Sequence, residues 1–547
     1  MNKTFLPTTH WIAALALLAA VMVAQARKPA PLFDDLDVLD HPVTSDSAEA
    51  RRYFNQGLVL LYGFNHNEAV RSFQAAATMD PECAMAYWGI AYAHGPNINR
   101  PMEDADVPKA WIALQSARNY APKASPREQA YIEALTARYV REPIKDRSGL
   151  DQAYADAMKK VAEAYPDDLD AWTLYAESLM DTTPWNYWEK DLAPKPATAA
   201  LLKALEHVLK RNPDHPGANH FFIHAVESGP TPRLGLPSAD RLRDLDVRTG
   251  HLVHMPAHIY LRVGQYRDAS IANEKAVKVD RGYIRACQAQ GFYPGVYYPH
   301  NLHFLWYATA WEGRSKDSLR TARRIVNFEL DNRCGPTTVV EAPRFRHLPL
   351  LVQARFGHWE DLLATPTPKD AHVFDQAMWH FARGLADIAT GSLDEAARHQ
   401  AALHDLGTGD KATADDNPYF PGSQLLAVAD HVLTGKLAQS RQDQAAAVAA
   451  LTEAVRLQDE LPYMEPPYWY YPTRESLGAA LLQFEQPAQA EQAFREDLAH
   501  HPRNAWGLFG LSQALREQGK DAEAARVQGE FEQAWKHADT GLELSWF

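Results

Sequence analysis

Residues 54 to 81 read FNQGLVLLYGFNHNEAVRSFQAAATMDP. Apolar residues recur there at three- and four-residue intervals, the spacing that lines one face of a helix. The polar FNHN interrupts the run, a second amphipathic stretch follows, and a proline ends it. The pattern predicts two antiparallel helices joined by a tight turn. HIYLRVGQYRDASIANEKAVKVD (258 to 280) repeats the layout with Gly264 in the turn. So do WYATAWEGRSKDSLRTARRI, LVQARFGHWEDLL, GLADIATGSLDEAARHQAAL, GAALLQFEQPAQAEQAFREDLAHHP and LFGLSQALREQGKDAEAARV. At 547 residues the chain is too long for one compact core, and this self-similarity favours a repeat array over several unrelated domains.

Together these units resemble the tetratricopeptide repeat (TPR) family over most of residues 50 to 535. The resemblance implies an all-α TPR-type α-solenoid, a superhelix of antiparallel helix hairpins whose first helices line a concave groove. The expected divisions are a signal peptide at 1–26, an extended segment at 27–48, and N-terminal TPR-like hairpins at 49–240. Central hairpins rich in histidine (241–410) and C-terminal hairpins (411–547) follow. MAYWGIAYAHGPNIN, NHFFIHAVESG, GHLVHMPAHIYLRVGQY, YYPHNLHFL and PPYWYYPTRESLGAALL are similar to secreted or periplasmic bacterial TPR proteins. That second likeness implies no reaction.

The N-terminus changes the address. Lys3, an apolar run from Trp11 to Ala24 and an Ala24-Gln25-Ala26 end have the layout of a signal peptide, and the run is short for a membrane span. The expectation is a periplasmic or secreted chain with no membrane span once the signal is removed. Net charge is −14 and there is no basic run, which argues against a nucleic-acid partner. Of three cysteines, Cys287 and Cys334 would form a disulfide in an oxidising compartment, or remain buried thiols as Cys83 would.

Histidine is the unusual feature: seven of the 23 fall between positions 220 and 303. With the turn glycine of each hairpin as a ruler, His251, His254 and His258 lie thirteen, ten and six residues before Gly264. His300, His303 and Tyr307 lie at the same offsets before Gly313, and Arg344 and His347 lie thirteen and ten before Gly357. His220, His224 and Glu227 share a face in NHFFIHAVE. Pro256 predicts a helix starting near Met255, which leaves His251 and His254 on the segment entering it. Pro299 sets His300 in the same way.

Neutral imidazole is the commonest metal ligand and suits copper, iron, nickel and zinc. The expected metal set is His220, His224, His251, His254, His258, His300, His303 and His347, enough for a two-metal site in the groove. No cysteine competes for it, so copper is favoured, with iron or zinc behind. Tyr307, Glu227 and Glu177 are candidates for catalytic roles beside it. Trp185, Trp188 and Trp469, from the aromatic runs TTPWNYW and PPYWYYP, would wall a substrate pocket, and Arg344 and Arg474 would hold an anionic group. His66, His94, His358 and His404 read as ordinary hydrogen-bonding residues, and Glu485 stands where a turn glycine is expected.

There is no GxSxG, Walker loop, GxGxxG after a strand, or HExxH. The leading expectation is an extracytoplasmic metalloprotein, an oxidoreductase acting on a small molecule or peptide. A non-catalytic TPR adaptor holding a protein or peptide partner, or a metal storage or delivery protein, are the alternatives.

Overall fold

The computed structural model describes residues 30–544 apart from 246, 248, 332–344, 369–371, 414, 415, 418 and 419. The expected signal peptide, Arg344 and Cys334 lie outside the described residues.

The chain is an α-solenoid of the TPR type, built from successive helical hairpins. They begin with Ala48–Tyr62 and His66–Met79 and end with Ala505–Glu517 and Asp521–Ala534. Neighbouring helices bury small residues against each other: Ala50, Ala69, Ala76, Ala110 and Ala117 are wholly buried in the first hairpins, as are Ala480, Ala490, Ala514 and Ala524 (1% exposed or less) in the last. Small side chains let helix axes approach closely, so the sequence period becomes a packing period.

One turn geometry recurs. Phe64, Gly264, Gly313, Gly357, Gly391, Gln442, Glu485 and Gly519 all have positive φ, between 54° and 83°. In each case the next residue's N–H donates to a carbonyl five residues back, as in Asn65 to Leu60 and Gln265 to Tyr260 (both 2.8 Å) and Gln486 to Leu481 (2.9 Å). That bond closes a left-handed helix end, where glycine costs nothing and a side chain costs about 1–2 kcal/mol. Gly264 has a second reason to be glycine, because a Cβ there would stand 2.1 Å from the Pro502 carbonyl oxygen. The C-terminal hairpins thus lie directly on the central ones. Tyr266 O–H donates to Pro502 O at 3.1 Å and Ser315 Oγ to Asp539 at 2.7 Å.

The helix Pro256–Arg262 starts where Pro256 predicts, but the segment entering it is itself helical. His251 and His254 occupy their own short helix, Gly250–His254, and Met255 keeps right-handed helical angles (φ −51°, ψ −35°) into Pro256–Arg262. Proline removes one hydrogen bond without turning the chain. Pro299 stands in the first turn of Tyr298–Trp311, which places His300 at that helix's start.

The left-handed turns generate a paired prediction. Glu485 is exposed, so Glu485→Gly should stabilise the fold by up to about 1 kcal/mol. Phe64→Gly relieves the same backbone cost but deletes a buried ring, and should destabilise by roughly 2 kcal/mol. Urea denaturation of the two variants beside the parent chain measures both signs.

Candidate metal centre

Six histidines meet between four helical segments. Pro216–Glu227 supplies His220 and His224, Gly250–His254 supplies His251 and His254, Pro256–Arg262 supplies His258, and Tyr298–Trp311 supplies His300. They form two groups, His220 with His224 and His251, and His254 with His258 and His300. Within each, one ring nitrogen per residue lies within 4.8 Å of the others. Nitrogens bound tetrahedrally at about 2.0–2.1 Å to one ion stand about 3.4 Å apart, so the rings need to close in by no more than about 1.5 Å to ligate one. The two groups adjoin: ring centroids are 5.5 Å apart for His224 and His258 and 5.7 Å for His251 and His254.

Each group takes an HxxxH pair from one face of a helical stretch and its third imidazole from the next hairpin. The third members, His251 and His300, are the two residues thirteen before their turn glycines. Five of the six are 0–2% exposed; His300 alone keeps partial exposure. The rings are sealed between helices rather than displayed on an open groove wall. Phe64 closes one side, its ring 4.6 Å from His220 and 5.3 Å from His251. Phe304 lies 4.5 Å from both His254 and His258.

The hydrogen bonds fix which nitrogen of each ring faces inward. His220 Nδ1 donates to the Tyr62 carbonyl at 2.6 Å, and His224 Nδ1 donates to Glu227 Oε1 at 2.7 Å. Asn273 Nδ2 donates to the Ala269 carbonyl, so its oxygen is the group that accepts from His254 Nδ1 at 2.7 Å. His258 Nδ1 is held by Glu227 Oε2 and lies 3.1 Å from Glu465 Oε2. With these protons outside, the Nε2 atoms point into the cluster. Such outward partners fix ring orientation and raise ligand basicity at metal sites.

That arrangement leaves polar atoms unsatisfied. His224 Nε2 and His251 Nδ1 are buried without a hydrogen-bond partner. His254 Nε2 and His258 Nε2 stand 2.8 Å apart, and His220 Nε2 and His251 Nε2 3.1 Å apart. In the metal-free chain a shared proton holds each of these pairs, and a cation bound there would take that proton's place. Orphaned buried groups cost about 1–3 kcal/mol each, and their concentration at one place calls for a compensating ligand. The donor set therefore fits a metal ion in either group.

Electrostatics divides the six. Burial, reinforced by the neighbouring imidazoles, holds His220, His224, His251, His254 and His300 well below the usual imidazole range. Burial also opposes protonation of His258, but the Glu227 and Glu465 carboxylates outweigh it and raise that ring to about 10. The metal-free cluster thus holds His258 as an imidazolium, its Nδ1–H on the carboxylates and its Nε2–H toward His254.

The remaining expected residues are dispersed. His303 Nε2 pairs with the Tyr470 hydroxyl at 3.0 Å, and its ring lies 4.9 Å from Phe345. His347 packs against Phe374 and Tyr470. Neither joins a three-histidine group, because equivalent positions on successive hairpins lie about a helix spacing apart, 8–10 Å, too far for one ion. Glu227 braces one ring of each group through its two oxygens. Glu177 is elsewhere, accepting from Tyr92 O–H beside the Arg138–Asp181 pair. Trp185 is 40% exposed and stands edge-on to His224 at 5.0 Å, its indole N–H donating to Asn99. Trp188 donates to the Ala225 carbonyl at 3.0 Å, tying down the helix that carries His224. Tyr307, Trp469 and Arg474 line a separate cavity, with Arg474 paired to Asp459 at 2.6 and 2.7 Å.

Sequence reasoning missed Phe64, Asn273 and Glu465. Only Phe64 left a signal, as a non-glycine in a turn where other hairpins carry glycine. A further buried group, His41 with Asp168 and Asp170, lies behind the site, and Tyr62 joins the two. Its hydroxyl donates to Asp170 at 2.6 Å while its carbonyl accepts from His220.

No protein-family model matches this chain, and none of the curated proteins compared with it does. Solved structures of low similarity span nearly all of it. The human IFIT1 dimer with m7Gppp-AAAA is 14% identical, covers 93% of this chain and 96% of its own, and has a TM-score of 0.31. The APC/C hetero-tetramer Cut9-Hcn1 is 14% identical, with coverage of 92% and 83% and a TM-score of 0.30. Yeast Tom70 is 12% identical, with coverage of 89% and 93% and a TM-score of 0.28. No residue role is carried over from them.

The titrations set the pH response of the metal-free chain. Five histidines of the cluster stay neutral when folded but protonate near pH 6.5 when unfolded, so the unfolded state binds more protons below that pH. Their contribution falls as pH drops below about 6.5. His258 acts in reverse: its contribution is complete below its unfolded value and is lost as pH rises through about 10. Urea midpoints should therefore drop steeply from about pH 6.5 to pH 5, and a double His224→Gln, His251→Gln change should flatten that slope.

Proposed function

We propose that the chain is an extracytoplasmic metalloprotein whose two three-histidine groups hold a pair of metal ions. Copper is the first choice, and the activity is that of an oxidoreductase on a small molecule. One observation carries the reading: two adjoining sets of three closely packed imidazoles, with Nε2 atoms turned inward, one of them unsatisfied, and outward Nδ1 protons tied down. An all-imidazole set without thiolate suits copper, and the affinity order among divalent ions favours it over iron and zinc. Bound copper would supply one-electron redox chemistry and reactivity toward dioxygen.

The chain's own residues would do the rest. Glu227, Asn273 and the Tyr62 carbonyl orient the rings, and Phe64 and Phe304 keep bulk water from them. Trp185, against His224 and partly exposed, borders the site on the solvent side. The signal-like N-terminus supports the extracytoplasmic address, and among the described residues no helix is long and apolar enough to cross a membrane.

Elemental analysis after loading with copper should find about two ions per chain. His224→Ala with His251→Ala should leave about one, as should His254→Ala with His300→Ala, and the quadruple variant none. His303→Ala and His347→Ala should keep both. Glu227→Gln should weaken loading by about 10–100-fold while the fold persists. Absence of stoichiometric metal after loading with copper, iron and zinc would sink the reading. Metal retention without oxygen consumption in the presence of phenolic reductants would reduce it to storage or delivery.

A further inference from the structure

Behind His258 lies a cavity of about 430 Å³, within the range that holds small ligands. Tyr266, Tyr307, Trp311, Tyr463 and Trp469 make its walls largely aromatic. Its charged groups are mostly committed. Arg474 forms two hydrogen bonds with Asp459 and lies 3.7 Å from Glu496. Glu465 accepts from the Tyr463 hydroxyl and faces His258, and His501 bonds Asp497 at 2.8 Å. Arg262 differs. Its Nε donates to the Glu227 carbonyl at 3.0 Å and its guanidinium lies 5.7 Å from the Tyr463 ring. Its two terminal nitrogens have no hydrogen-bond partner among the described residues. The Tyr307 hydroxyl is likewise without a partner, although Tyr307 is 4% exposed.

We propose that this cavity binds a small aromatic carboxylate, with Arg262 holding the carboxylate and Tyr307, Trp311 and Trp469 enclosing the ring. A guanidinium fork anchored at Nε presents its remaining N–H groups in the planar geometry a carboxylate accepts, and desolvated aromatic walls select a ring. Two carboxylates already in the wall, Asp459 and Glu465, disfavour a doubly charged phosphate. The Tyr307 hydroxyl gives a second polar contact. The site goes beyond the metal reading and stands without it, since none of Arg262, Tyr307, Trp311 and Trp469 belongs to a three-histidine set.

The test uses the full chain freed of metal by chelation, with 4-hydroxybenzoate as probe and 4-hydroxybenzyl alcohol as its uncharged counterpart. Binding is read by tryptophan fluorescence and calorimetry. The acid should bind saturably at one site. Arg262→Gln should weaken it about tenfold or more while leaving the alcohol unchanged, and Arg262→Lys should fall between. Tyr307→Phe, which keeps the ring, should weaken the acid several-fold at an unaltered melting temperature. Trp469→Ala should lose acid and alcohol alike. Absence of saturable binding overturns the proposal, as does an acid affinity indifferent to both Arg262→Gln and Tyr307→Phe. Because the chain is metal-free throughout, failure here leaves the metal reading intact, and failure to load metal leaves this one.

Discussion

The buried carboxylate of Glu227 is the constraint around which the centre is organised. It is wholly inaccessible to solvent, and its two oxygens take Nδ1 protons from His224 in one group and His258 in the other. A charge in that position is tolerable only while both partners stay in place. Moving the His258 ring away leaves the carboxylate without its cationic partner, at a cost of several kcal/mol, and moving His224 strands one carboxylate oxygen. The helix Pro216–Glu227 and the helix Pro256–Arg262 are therefore locked in register by one side chain. Arg262 adds to the lock from outside, donating to the same residue's carbonyl.

The solenoid supplies what a single residue cannot, the repetition of the ligand set. Each group combines an HxxxH pair with one imidazole from the following hairpin, so the second group is the first displaced by one repeat. A hairpin array makes this cheap, because the step from one unit to the next is the same packing relation throughout. The cost appears in the turns. At position 64 the chain keeps a left-handed non-glycine residue, and the ring gained there covers three histidines of one group.

Much of this was legible in the sequence, for identifiable reasons. Helical periodicity and turn glycines are local, so the solenoid could be read directly, and Glu485 takes the left-handed turn its position implied. All six clustered histidines were visible in the spacing. The ruler misled where it treated equivalent offsets as neighbours. His303 and His347 occupy the positions of His254 one and two hairpins on, yet they meet Tyr470 instead of an imidazole group. Register along a chain gives which face a residue takes, and the spacing between helices decides which faces meet. Asn273 and Glu465 were invisible for the same reason, since each reaches the site from an element whose own pattern is ordinary.

Glu465 shows how the two halves of the molecule become one functional unit. It comes from the proline-rich segment before Thr473, some two hundred residues from His258, and is 8% exposed. One carboxylate oxygen faces the His258 Nδ1 while the other accepts from Tyr463, and the residue forms part of the cavity wall. The C-terminal hairpins can place it there only because Gly264 lets the Pro502 backbone approach the central repeats without a Cβ between them. A turn glycine chosen for its backbone angle thus also fixes how deeply the far end of the solenoid seats. That seating brings a second carboxylate to His258, and the one ring of the cluster that stays protonated in the metal-free chain is the ring that two distant parts of the sequence hold together.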